Sequence, residues 1–153
     1  MKKGLIAFSK IAVCLIAIAI LTALIRMPQT EGRAAHLDLI SIYADPFIIY
    51  IYIASIPFFI AVYQTITLLS LVEKNSLYSH AAMKKIRTIK YCAIAFIVFI
   101  TTAISYIVMR AKIAPNAADD PAGFVGLGIL VILAAAATAA ATNIFGKHIQ
   151  KAL

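Results

Sequence analysis

Apolar residues fall along this chain in four long runs, approximately residues 5–25, 47–72, 89–109 and 123–145, and the stretches between them hold nearly all the charge. A helix advances about 1.5 Å per residue, so roughly 20 mostly apolar residues cross a hydrocarbon core about 30 Å thick. Each run meets that length. A barrel strand would instead alternate polar and apolar positions over only about ten residues. In lipid every backbone N–H and C=O needs a partner within its own segment, and helices supply one even where Ile and Val abound. The pattern predicts an all-α integral membrane protein, a single four-helix domain over residues 1–153 built as a four-transmembrane-helix bundle.

The helix starts are punctuated. Asp45-Pro46 precedes the second run and Asp120-Pro121 the fourth. Both read as a carboxylate N-cap followed by proline at the first helical position, where no intrahelical donor is needed. Ser79 is the expected N-cap of the third helix, which runs unbroken to about Arg110. From His80 that is about 46 Å, so a basic first section should protrude from the bilayer. Between the first two runs, Leu37, Ile40 and Tyr43 fall at helical spacing. They predict either an interfacial helical turn or a loop whose apolar residues dip into the headgroups.

Composition removes the soluble alternatives. Of 153 residues 63% are hydrophobic and 13% charged, with only 6 Asp and Glu, and the mean hydropathy is +0.98. A water-soluble domain of this size could not clothe its surface from such a set. The net charge of +8 is distributed unevenly. With the N-terminus inside, ten basic residues are cytoplasmic (Lys2, Lys3, Lys10, Lys74, Lys84, Lys85, Arg87, Lys90, Lys147, Lys151) and four are outside (Arg26, Arg33, Arg110, Lys112). Short basic loops stay on the cytoplasmic side, so both termini are expected there. The first run reads as an anchor and not as a cleaved signal peptide, because no small-x-small site follows it. The charge reads as topology and lipid attraction, with nucleic-acid binding a poor second and no nucleic-acid partner expected, since no recognition helix, stacking platform or soluble basic domain is present.

Candidate chemistry is sparse. Cys14 and Cys92 are single and distant, without a C-x-x-C pair, and read as small apolar packing residues. His36, His80 and His148 lie outside the spans and form no haem clasp or metal set. No run contains an acid of the kind that proton- or ion-coupled carriers use. Lys10 is the one charge well inside a run. It either snorkels to the headgroups or joins Gln64 and Asn143 in an intramembrane polar network. Pro57 interrupts the second run and predicts a kink, because the carbonyl of Ile53 loses its helical donor, with Ser55 placed to help. Small residues from Ala134 to Thr142 predict close backbone approach, at the bundle centre or at a seam between two copies. Lys84, Lys85, Arg87 and Lys90 beside Met83, Ile86 and Ile89 make the entry to the third helix basic and amphipathic, the best candidate surface for a partner or for lipid. No catalytic set, cofactor site or metal site can be assembled.

The segment from Ile53 to Phe96, with Pro57-Phe58-Phe59, Gln64, Leu68-Leu69, Lys74-Asn75, Ser79 and Ile89-Lys90-Tyr91-Cys92, resembles the uncharacterised bacterial membrane-protein family catalogued as domain of unknown function 2975. The resemblance implies four helices, a polar inner loop and a basic entry to the third helix, in a multi-pass protein of the bacterial inner membrane. It brings no activity or catalytic residue. That family's frequent encoding beside a small helix-turn-helix regulator implies a regulatory partnership. The expected function is non-enzymatic binding or regulation through the inner loop and the basic helix entry. The partners expected are membrane lipids, a cytoplasmic or membrane protein, or a second copy of the chain. The alternative is a small transporter or channel-forming subunit.

Overall fold

Each apolar run lies within a helix longer than itself. The computed structural model describes residues 2–30, 38–113 and 121–153, and the elements are α1 (Lys2–Thr30), α2 (Leu39–Tyr43), α3 (Pro46–Glu73), α4 (His80–Ile113) and α5 (Pro121–Ala152). No strand occurs among the described residues. The four long helices are long and apolar enough to cross a membrane. At 34 and 32 residues, α4 and α5 extend about 50 Å each, well beyond a hydrocarbon core of about 30 Å.

The boundaries follow from local chemistry. Asp45 Oδ1 accepts the N–H of Phe47 at 2.8 Å, with Pro46 at the first helical position of α3. Ser79 Oγ accepts the N–H of Ala82 at 3.2 Å and so caps α4. The Asp120 cap lies outside the described residues. Helix α3 ends in a left-handed turn: Asn75 adopts φ 55°, the Ser76 N–H donates to Leu71 O at 2.9 Å and the Asn75 N–H donates to Val72 O at 3.1 Å. This pair of bonds satisfies two orphan carbonyls, and Asn is among the few side chains that tolerate the conformation. Of the residues spaced for an interfacial turn, Ile40 and Tyr43 lie on α2, where Leu39 and Ile40 are exposed. Leu37 is outside the described residues.

Two prolines sit inside helices, and their lost bonds are handled differently. Pro28 deprives the carbonyl of Leu24 of its i+4 donor. The Tyr52 hydroxyl, from α3, donates to that same carbonyl at 3.1 Å. One residue on, the Tyr43 hydroxyl donates to Ile25 O at 3.0 Å and accepts from Gln29 Nε2 at 2.9 Å. Helix α1 therefore continues past its apolar run to Thr30, stitched to α2 and α3 where proline weakens it. Helix α3 also continues through Pro57. Ser55 Oγ donates to Tyr52 O at 2.7 Å, so its hydroxyl serves the neighbouring carbonyl and not that of Ile53.

Antiparallel neighbours pack in chain order, α1 on α3, α3 on α4 and α4 on α5. The Phe58 and Phe96 ring centroids lie 6.1 Å apart, and the Tyr50 hydroxyl donates to Phe99 O at 2.8 Å, both joining α3 to α4. Phe47 bridges at the far end, stacked on Tyr106 of α4 and 5.8 Å from Phe124 of α5. Helices α4 and α5 approach closely at Gly128, where a Cβ would stand 2.6 Å from Ile104 Cδ1. Helix α5 lies at the edge, so the alanine-rich stretch is not at the bundle centre: Ala134, Ala136, Ala137 and Ala140 are exposed. Thr138 and Thr142 donate to carbonyls of their own helix. The most completely buried side chains, Ala82 (0% exposed), Ile86 (2%) and Ile149 (1%), lie at the end that holds both termini. That section of α4 and α5 projects beyond the apolar runs, so there apolar surface gains by leaving water; within lipid it gains little.

Two outcomes follow. Gly128→Ile should destabilise the detergent-solubilised protein by about 1–3 kcal/mol through overpacking, with Gly128→Ala milder because Ile104 Cδ1 is the far end of a flexible side chain and can swing aside about χ2. Gly126→Ile, where nothing stands within 4 Å, should be silent in the same thermal melts. Tyr52→Phe should cost about 1 kcal/mol, and clearly less in a Pro28→Ala background, whose restored N–H supplies Leu24 O; a double-mutant cycle on melting reads the difference.

Candidate functional site

The N-terminal part of α1, the C-terminal ends of α3 and α5 and the start of α4 meet at one end of the molecule, and this basic end gathers the polar residues singled out in the sequence. Its one acidic side chain is Glu73, the last residue of α3. Lys10 Nζ lies 2.7 Å from Glu73 Oε2, an ion pair that ties α1 to α3 near the headgroup level. Lys10 thus reaches toward the aqueous end and meets a carboxylate there.

The other two members of the expected polar network are elsewhere. Asn143 Oδ1 accepts Lys90 Nζ at 3.0 Å, joining α5 to α4. Gln64 Oε1 is buried and has no hydrogen-bond partner. The structure therefore does not bring Lys10, Gln64 and Asn143 into one hydrogen-bonded set. The sequence signal for the Lys90–Asn143 bond was weak because the two lie 53 positions apart. Their register follows only from the α4–α5 packing, in which Gly146 faces Ile86 and Met83.

The four basic residues at the start of α4 divide into two pairs. Lys85 Nζ stands 5.9 Å from the centroid of the Tyr63 ring on α3, within cation–π range, and Lys90 is held by Asn143. Both are half-buried. Lys84 and Arg87 are exposed, as are Lys147 and Lys151 on the adjoining turns of α5. Neither α4 nor α5 contains an acidic residue, and Glu73 is occupied by Lys10. The exposed cations of this end therefore have no carboxylate side chain of their own to answer them.

Other polar groups are scattered. Cys14 and Cys92 are free thiols on α1 and α4. His148 Nδ1 lies 3.1 Å from Ile144 O of its own helix. No group of three His, Cys, Asp or Glu able to hold a metal ion exists among the described residues. At the opposite end, a cleft of about 240 Å³ between α3 and α4 is lined by Pro46, Phe47, Tyr50, Thr102, Ala103 and Tyr106. It is aromatic and apolar, with three hydroxyls and no charged side chain.

Asn143→Leu should lower the melting temperature in detergent, since it strands the Lys90 ammonium without its charge-assisted acceptor. Gln64→Leu should leave the melting temperature unchanged or raise it, because it removes a buried acceptor that nothing satisfies.

Residues 29–153 match a family model described as "Protein of unknown function (DUF2975)". The chain is also 31% identical over 148 residues to "Uncharacterized membrane protein YoaS" of Bacillus subtilis (strain 168), a match that covers 95% of this chain and 89% of the relative. No solved structure matches.

Proposed function

The chain belongs to the DUF2975 family of unknown function, and from that premise we propose that it is a non-enzymatic binding or regulatory protein of the bacterial inner membrane. It works through the loop between α3 and α4 and the basic entry to α4, both facing the cytoplasm. One observation carries the reading: the single acidic side chain of the basic end is taken up by Lys10, which leaves Lys84 and Arg87 exposed and without an ion pair among the described residues. Such a surface is completed by an anionic partner. Its cytoplasmic placement rests on the excess of Lys and Arg in the segments at this end. The relative's name likewise describes a membrane protein without an activity.

The test is affinity purification of the full chain from native membranes beside a Lys84→Glu, Arg87→Glu variant. The proteins and lipids that accompany the wild-type chain should change in the variant. An unaltered set would overturn the reading.

A further inference from the structure

We infer that the exposed face of α4 at its basic entry is a binding stripe for an anionic phospholipid, with Lys84, Arg87 and Tyr91 around the headgroup and Ile94 and Val98 along an acyl chain. The inference rests on the binding reading above and names the partner of that surface. Residues 84, 87, 91, 94 and 98 recur at i, i+3, i+7, i+10 and i+14, which places them on one helical face. All five are exposed: Tyr91 is 63% exposed, Ile94 42% and Val98 60%.

The order along the stripe matches the order of chemistry in a phospholipid. Two cations come first, then an aromatic ring of the kind that settles at headgroup depth, then aliphatic side chains within the apolar run. From Lys84 to Tyr91 the helix rises about 10 Å and from Lys84 to Val98 about 21 Å, spacings that suit a headgroup region followed by one leaflet's upper chains. A soluble protein could meet Lys84 and Arg87 but not the residues that continue the same face into the hydrocarbon. The charge is also available. Lys85 and Lys90, on the flanking faces of the same helix, are engaged by Tyr63 and Asn143, and no acidic side chain on α4 or α5 competes with phosphate.

The chain contains no tryptophan, so Tyr91→Trp puts a single fluorophore on the stripe. The full-length Tyr91→Trp protein is reconstituted into phosphatidylcholine vesicles containing brominated phosphatidylglycerol or, at equal mole fraction, brominated phosphatidylcholine. Quenching should favour the anionic lipid by roughly thirtyfold in apparent affinity, the combined effect of two near-surface cations. Adding Lys84→Gln and Arg87→Gln should erase the preference without moving the melting temperature, since both side chains are exposed. Adding Lys85→Gln should keep the preference. Equal quenching by the two lipids, or a preference indifferent to Lys84→Gln and Arg87→Gln, overturns the lipid assignment. If an accompanying protein is nonetheless lost with the charge-reversed pair, binding at this end stands and only its lipid identity falls. If neither lipids nor proteins respond, both readings fall.

Discussion

Within a bilayer, apolar side chains gain no hydrophobic free energy by turning from lipid toward one another, so the cohesion of these helices has to come from other sources. Three are visible here. Where α4 and α5 project past the hydrocarbon, ordinary burial operates, and Ala82, Ile86 and Ile149 are shielded. Where they lie in lipid, Gly128 lets Ile104 approach the backbone at a distance that no β-carbon would permit without rearrangement. Where α1 meets its neighbours, polar groups do the joining. The distribution of tight packing thus follows the change of solvent along the helix axes.

Helix α1 illustrates the third source. Its apolar side chains, Phe8, Leu15 and Ile18 among them, are exposed and give it little grip. It is fastened near its two ends, by Lys10 on Glu73 at one and by Tyr43 and Tyr52 on the carbonyls around Pro28 at the other. Proline here removes one hydrogen bond within a helix and thereby frees an acceptor for a bond between helices.

The fold was largely legible in the sequence because its signals are local. Four apolar runs, the Asp45-Pro46 start and the Ser79 cap each depend on residues within a few positions of one another. The helix ends were harder to place: α1 runs past its apolar stretch to Thr30, and the hydroxyls that meet its carbonyls beside Pro28 come from Tyr43 and Tyr52 on other elements. The polar pairings were not legible for the same reason. Glu73 and Asn143 are ordinary residues until antiparallel packing sets Lys10 and Lys90 beside them. Among the four cations of the α4 entry, which two remain exposed is decided by where Tyr63 and Asn143 stand, information that resides on other helices.

Because each long helix has its sequence neighbour as principal partner, the topology is one of adjacent hairpins. A chain emerging from the ribosome would deliver each span next to the one already inserted, and no later segment needs to slip between earlier ones. Such nearest-neighbour order keeps loop-closure entropy small at every step. It also leaves α1, which packs mainly on α3 and less extensively than any other long helix on its neighbour, as the helix whose departure would disturb the remaining three least.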